Sequence, residues 1–221
     1  KKLAHSYIYS GPLYNMIKEE LGITPKQQRM CVDCAATKLH KFPHPRDNPD
    51  RRVPRNPGEF MHLDSIEMPV RTLKQHHTWL TTIYDECAAS IEVVTSYGKK
   101  HSDESVIKKL EQMQRDNEYK VKLIRTDGGT EFFGVKDWCE KNGVRFETSC
   151  PYTQEQNGRA ENTNKIVLQG GEACRVGAGL PRCYWGLVYK YFAYTYRFLP
   201  NKAVSSHSHF RTPQERLMGK H

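Results

Sequence analysis

The sequence of 221 residues has no long hydrophobic run and no regular arrangement of cysteines. No stretch approaches the ~20 apolar residues that a membrane-spanning helix needs. The first residues, Lys1-Lys2-Leu3-Ala4-His5, lack the apolar core of a signal peptide. Seven cysteines, an odd number, argue against a disulfide scaffold and for a reducing compartment. Because an initiator methionine is also missing, we expect a fragment or a processed product, with no membrane partner.

Acidic residues are outnumbered by basic ones, 25 to 34, which gives a formal net charge of +9. A basic balance suits a polyanionic partner, because neutralising phosphates releases counterions and drives binding. Many soluble proteins are mildly basic without any such role, so charge alone does not decide between the two interpretations.

Composition divides the chain into three zones. Residues 1–45 contain a helical stretch, a pair of closely spaced cysteines and several histidines. Residues 46–57 are rich in Pro and Arg and have almost nothing to bury, which is typical of a linker. Residues 58–221 are therefore expected to form the main domain.

Strand-like and helix-like patterns alternate along the main domain. Apolar residues at helical spacing predict a helix that begins near Ser102 or Asp103, a shorter helix near 135–142 and an aromatic-rich helix over 184–198. We expect these aromatic rings to pack rather than to stack on bases. The pattern predicts an α/β domain with a mixed sheet, whose first three strands form a meander. The five expected strands span 60–68, 78–84, 90–96, 119–126 and 144–149.

Three separated acidic residues stand where a fold can bring them together. Asp64 and Asp127 belong to strand-like runs, and Glu161 begins an expected helix after a polar segment, 151–158, that we expect to be a mobile loop. Carboxylates bind hard divalent cations, and two such ions ~4 Å apart can stabilise both oxygens of a phosphoryl transfer. Lys165 follows Glu161 by one helical turn and can pair with it or reach a phosphate. Singly, such residues are more often turn or surface residues.

The combination of motifs resembles the integrase of copia-type LTR retrotransposons, a DDE recombinase that forms part of a Pol polyprotein. The resemblance covers nearly the whole chain. It is carried by Cys31-Val32-Asp33-Cys34, Thr126-Asp127-Gly128-Gly129-Thr130-Glu131-Phe132, Pro151-Tyr152-Thr153, Gln156-Asn157-Gly158-Arg159-Ala160-Glu161-Asn162, Gly179-Leu180-Pro181, Tyr184-Trp185 and Thr212-Pro213-Gln214-Glu215-Arg216-Leu217.

This resemblance implies an RNase H-like catalytic core with a five-stranded mixed sheet, preceded by a small, truncated zinc-binding helical domain. The implied activity is that of a polynucleotidyl transferase using two Mg²⁺ or Mn²⁺ ions. It processes cDNA 3′ ends as a nuclease where needed, and inserts them into target DNA by strand transfer. The implied partners are double-stranded DNA, further copies of the chain and an unidentified host tethering factor. The implied location is the nucleus or a cytoplasmic virus-like particle.

Carried over residue by residue, the resemblance assigns the metal-binding triad to Asp64, Asp127 and Glu161. The match around Asp64 is short, so Asp85 is the alternative first member. The residues expected to contact DNA are Tyr152, Gln156, Asn157, Arg159 and Lys165.

Three departures from the family pattern have structural consequences. Glu161 follows Asp127 slightly more closely than usual. Gln154-Glu155 adds a negative charge to the expected loop, where DNA should pass. Gly170-Gly171 falls inside the expected long helix and costs ~1 kcal/mol per Gly relative to Ala, so we expect a break or kink there.

A zinc half-site is indicated by Cys31 and Cys34, whose two-residue gap lets both thiolates reach one tetrahedral ion. The family's site is His-His-Cys-Cys, and His5 matches its second histidine. The remaining ligand lies upstream of this sequence or is replaced by His40 or His44. Two unligated cysteines in a loop are the alternative.

Two other functions use the same fold. A domesticated, catalytically inactive descendant would bind DNA or support assembly without chemistry. An RNase H-like nuclease would share the metals but not the segment Asn157-Gly158-Arg159-Ala160-Glu161. Retention of all three acidic residues favours an active integrase.

Overall fold

The computed structural model describes residues 54–127, 132–148, 154–205 and 210–219, with backbone only for 154–157 and 205. The predicted zinc-binding domain, 1–45, lies outside the described residues, as does most of the predicted linker. The predicted division of the chain into 1–45, 46–57 and 58–221 therefore stays a prediction. Within the described residues, no helix is long and apolar enough to cross a membrane.

A five-stranded mixed sheet forms the centre of the fold, which confirms the predicted architecture. The spatial order is β3-β2-β1-β4-β5. The first three strands form the predicted antiparallel meander, and β4 and β5 then run parallel to β1. The strands are β1 (Met61–Glu67), β2 (Trp79–Asp85), β3 (Ser90–Ser96), β4 (Leu123–Thr126) and β5 (Arg145–Thr148).

Helices cover both faces of this sheet. On one face, Met61, Leu63 and Ile83 pack against the first two helices. On the other, Leu80 and its neighbours pack against the third and fourth helices. Successive side chains of a strand point to opposite faces, so alternating apolar residues supply both cores. The helices are α1 (Ser102–Asp116), α2 (Phe133–Asn142), α3 (Gln154–Gly177), α4 (Trp185–Tyr196), α5 (Lys202–Ser205) and α6 (Pro213–Met218).

Strand β4 begins at Leu123, four residues later than predicted. Before it, the Val121 N–H donates to the Gln114 side chain, and the Lys122 N–H donates to the carbonyl of Gly58. The N–H groups of Val121 and Lys122 therefore bond outside the sheet. The alternating sequence pattern is for this reason longer than the strand itself.

Helix α3 begins at Gln154, so the prediction of a loop reaching residue 158 was wrong for its last five residues. Gln and Glu are good helix formers, and the run Gln154-Glu155-Gln156 favours the helix over a turn. The turn-forming tendency of Asn157-Gly158 is overridden.

The helix also runs unbroken through Gly170-Gly171, where we expected a break or kink. A methyl group at Gly170 would lie 2.1 Å from the ring of Phe192, and one at Gly171 would lie 2.3 Å from the ring of Tyr189. The two glycines therefore let α3 approach α4 closely, and this packing offsets their poor helix propensity. The aromatic residues of α4 that face α3 and the sheet are buried, as predicted.

The segment Thr212-Pro213-Gln214-Glu215 is a helix start. The Thr212 hydroxyl accepts from the Glu215 N–H, and the Glu215 carboxylate accepts from the Thr212 N–H. Pro213 occupies the first helical turn, where its missing N–H costs nothing. This motif therefore has a structural role at the end of the described core.

Candidate active site

Asp64 and Asp127 belong to adjacent parallel strands. In the ladder between β1 and β4, Met61 pairs with Ile124 and His62 pairs with Arg125. Continuing this register by two places would set Asp64 opposite Asp127, which directly follows β4. Residues opposite each other in a parallel pair point to the same face, and neighbouring strands lie ~4.8 Å apart. Asp64 is partly exposed and Asp127 is exposed, so both border solvent at this edge.

The Asp64 carboxylate is held by two donors. The Ser65 N–H donates to Oδ1 at 2.8 Å, and the Asn164 side-chain amide donates to Oδ2 at 2.6 Å. The Thr82 hydroxyl, on the neighbouring strand, donates to Oδ1 of Asn164 at 2.7 Å. Because Asn164 and Thr82 are both buried, this chain of hydrogen bonds fixes the orientation of the carboxylate.

Sequence reasoning missed Asn164. The signal that was available is its place three residues after Glu161, which puts the two side chains on one helical face. A buried amide on a helix that carries an expected metal ligand indicates an orienting group, because a buried polar side chain needs a partner.

Glu161 lies one turn before Asn164 in α3. Asn164 joins this helix to β1 through its hydrogen bond to Asp64. Glu161 and Lys165 are both exposed. No ion pair between them is recorded among the salt bridges of the described residues. The simple surface pair considered from the sequence is therefore not formed here.

Arg159 contacts protein rather than open solvent. Its Nε lies 3.3 Å from the carboxylate of Glu86, which also bonds to Nε2 of His62 at 2.7 Å. The side chains of Glu86 and His62 are 4% and 2% exposed. The His62 ring stacks on Phe60 with centroids 4.6 Å apart, and the guanidinium of Arg125 lies 4.6 Å from the Phe60 ring centre. This series of contacts ties the start of α3 to β1 and β4, beside Asp64.

Asp85, the alternative first member of the triad, serves the backbone. Its carboxylate accepts hydrogen bonds from the N–H groups of Gly58, Cys87 and Ala88. Thr82 pairs with Asp64, so Asp85, three residues further along β2, points to the opposite face of the sheet. Burial raises the pKa of Asp85 to about 6, although the three N–H donors lower it. Asp85 is thus a buried turn residue.

A divalent cation suits these residues chemically. All three triad side chains are carboxylates, the oxygen ligands that Mg²⁺ prefers. Among the described residues, no three His, Cys, Asp or Glu side chains lie close enough to hold one ion. Coordination would therefore require the three carboxylates to move closer together.

The side chains of the remaining predicted site residues are outside the described part of the chain. His5, Cys31, Cys34 and Tyr152 fall outside the described residues. Gln156 and Asn157 lie in α3, and only their backbone is described. Their proposed roles stay predictions.

Solved structures similar to this fold include catalytic cores of retroviral integrases. The HTLV-2 integrase core in complex with magnesium, in a trimeric form, matches with a TM-score of 0.53 and 18% identity over 73% of this chain and 97% of that one. The BIV integrase core matches with a TM-score of 0.52 and 14% identity over 73% and 95%. A simian T-cell lymphotropic virus intasome in complex with PP2A regulatory subunit B56 gamma matches with a TM-score of 0.57 and 16% identity. The match covers 77% of this chain and 60% of that one. The fold is therefore the RNase H-like fold of integrase catalytic cores.

Relatives by sequence are retrotransposon Pol polyproteins. That of transposon RE2 from Arabidopsis thaliana is 21% identical over 181 residues, which are 82% of this chain and 12% of the polyprotein. That of transposon TNT 1-94 from Nicotiana tabacum is 30% identical over 76 residues, 34% of this chain and 6% of the polyprotein. No protein-family model matches the sequence. The predicted resemblance to copia-type integrases is confirmed, and the chain spans about an eighth of the relatives' length.

Proposed function

We propose that this chain is the catalytic region of a retrotransposon integrase that joins element cDNA 3′ ends to target DNA. The observation that carries the proposal is the parallel register of β1 and β4, which directs Asp64 and Asp127 to one face of adjacent strands. Helix α3, which bears Glu161, is bonded to that same face through Asn164. A DDE triad needs this convergence of two adjacent strands and one helix.

Asp64, Asp127 and Glu161 would hold two Mg²⁺ or Mn²⁺ ions, which would stabilise charge on the attacking oxygen of the cDNA 3′-hydroxyl and on the leaving oxygen of the target phosphodiester. The protein's own work is positioning. Asn164 and Thr82 keep the Asp64 carboxylate in one orientation before DNA binds, so less ordering is needed during reaction. The magnesium complex of the HTLV-2 core supports this choice of cation.

We assign Lys165 to a DNA phosphate, because it is exposed, lies one turn after Glu161 and forms no ion pair with it. We assign Arg159 chiefly to positioning, because its guanidinium contacts the buried Glu86 and thereby holds the start of α3. Tyr152, Gln156 and Asn157 remain proposed DNA contacts next to these residues. The positive charge of the chain favours double-stranded DNA as the partner.

Assembly into an oligomer is part of the proposal. One structural neighbour is an intasome and another is described as a trimeric form, which supports association of several copies on DNA. The proposed role also includes processing of cDNA ends and a zinc-binding domain with His5, Cys31 and Cys34. It further includes a host tethering factor and action in a virus-like particle or the nucleus.

The test is a joining assay in which a short duplex that mimics an element end is incubated with plasmid DNA and Mg²⁺ or Mn²⁺. Asp127→Asn should lower joining by about 10³-fold or more, since it removes a principal electrostatic element. Asp137→Asn is the matched control, because Asp137 is an exposed carboxylate on α2 and should leave joining unchanged. DNA binding without metal-dependent joining by the unmodified protein would instead support the inactive, DNA-binding alternative.

A further inference from the structure

A cavity of about 380 Å³ lies between α1, β3 and α4. It is separated from the candidate active site by β2, since β3 is the edge strand and the acidic pair lies at β1 and β4. Its charged lining residues are Glu92, Lys109, Asp116, Lys190 and Arg197, with Tyr194 beside them. None of these residues is used by the proposed strand-transfer chemistry.

Two cations in the cavity share a single carboxylate. Nζ of Lys109 lies 2.8 Å from one oxygen of Glu92, and Nη1 of Arg197 lies 3.1 Å from the other. The three side chains are only 14–22% exposed. One negative charge therefore faces two positive charges in a largely desolvated place, where unbalanced charge is costly.

Further positive charge in the cavity lacks a partner among the described residues. The Nε–H of Arg197 is buried and donates to no acceptor there. Lys190 lines the same cavity from α4. Burial of the ammonium lowers the pKa of Lys190, and neighbouring Lys109 lowers it further. Of the two carboxylates, Asp116 is exposed and already accepts from Gln112.

We propose that this cavity binds a small phosphate-bearing anion. Lys109, Lys190 and Arg197 line the space, and the buried Nε–H of Arg197 has no hydrogen-bond partner among the described residues. Phosphate oxygens are strong acceptors for such donors, and the charge of the anion balances the excess of the three cations over the two carboxylates, Glu92 and Asp116. The volume lies within the range of small-ligand sites, so an ester group is accommodated beside the phosphate.

Thermal unfolding with inorganic phosphate, at ionic strength held constant with chloride, tests the proposal. Lys190→Gln should weaken phosphate affinity by about tenfold or more, because it removes a charged donor. Lys108→Gln is the matched control, since Lys108 is an exposed lysine of α1 paired with Glu104 outside this cavity. Phosphate also stabilises proteins non-specifically, but that effect is equal in all three proteins.

Glu92→Gln provides a second variant with the opposite expectation. It leaves the cations without their carboxylate, so phosphate should stabilise this variant more than the unmodified protein. Duplex DNA with and without 5′-phosphates distinguishes the sources: dependence on the 5′-phosphate identifies a DNA end, and independence identifies a free phosphate ester. Equal phosphate stabilisation of the unmodified protein, Lys190→Gln and Lys108→Gln would overturn the proposal.

Discussion

Helices α3 and α4 approach each other closely at Gly170, and replacement of this glycine gives a quantitative test of the packing. A methyl group at this position would lie 2.1 Å from Cζ and 2.2 Å from Cε2 of Phe192, whose ring is 1% exposed. Carbon atoms in contact lie about 3.5–4.0 Å apart. The ring or the helix must therefore move by roughly 1 Å or more in a close-packed interior.

We predict that Gly170→Ala lowers the free energy of unfolding by about 1–2 kcal/mol. Overpacking a core costs ~1–3 kcal/mol, and an overlap this severe with a buried ring falls in the upper part of that range, about 2–3 kcal/mol. Ala in place of Gly inside a helix gains about 1 kcal/mol, which leaves the net loss of about 1–2 kcal/mol. In a domain of this size, the net loss corresponds to a melting temperature roughly 2–8 °C lower. Urea unfolding and thermal melts measure both quantities.

Gly158→Ala is the control, because it makes the same change in the same helix, where no described atom outside the surrounding helical turn lies within 4 Å of the added methyl group. It should raise stability by up to about 1 kcal/mol. Equal or greater stability of Gly170→Ala would refute the argument that α3 and α4 touch through this glycine.

The remaining predictions concern turns, charges and DNA. Asp85→Asn should cost about 2–3 kcal/mol in urea unfolding, because its amide cannot accept from all three backbone donors; unchanged stability would contradict this. Arg159→Met should lower joining while leaving the salt dependence of DNA binding unchanged. Lys165→Glu should reduce the slope of log affinity against log salt concentration by about one. The reverse result would exchange the roles of the two residues. Burial raises the pKa of Glu59, but hydrogen bonds from Lys122, Arg55 and Asn56 lower it to about 2. Its folded pKa lies below the unfolded value, so its stabilisation is present above about pH 4.5 and lost towards pH 2. Relative to Glu59→Gln, the unmodified protein should therefore lose more stability over this window in thermal melts.

Local alternation of residues was enough to predict the sheet. Each strand supplies apolar residues to two covered faces, and the order of elements then allows few topologies. The shortened β4 was not predictable in this way, since the N–H groups of Val121 and Lys122 donate to the Gln114 side chain and to the carbonyl of Gly58, and alternation of residues shows neither contact. Helix propensity likewise predicted a break at Gly170 that the structure does not have. A glycine that permits close approach of two helices is recognised only when the facing ring is known.

The candidate site was only partly predictable. Acidic residues at strand and helix ends follow from sequence patterns, and the strand register sets two of them on adjacent strands. The partners of these residues do not follow, because Thr82 and Asn164 meet Asp64 through tertiary packing. The same is true of Glu86, which engages Arg159 from a different part of the chain.

The central claim, that Asp64, Asp127 and Glu161 share divalent metal ions, is tested most directly by anomalous diffraction from crystals soaked with Mn²⁺. We predict anomalous density with carboxylate oxygens of all three residues about 2 Å from the ions. The same soak of the Asp127→Asn variant should show reduced occupancy, whereas Asp137→Asn should not. Density elsewhere on the protein, or density that excludes Asp64 or Glu161, would contradict the proposed triad.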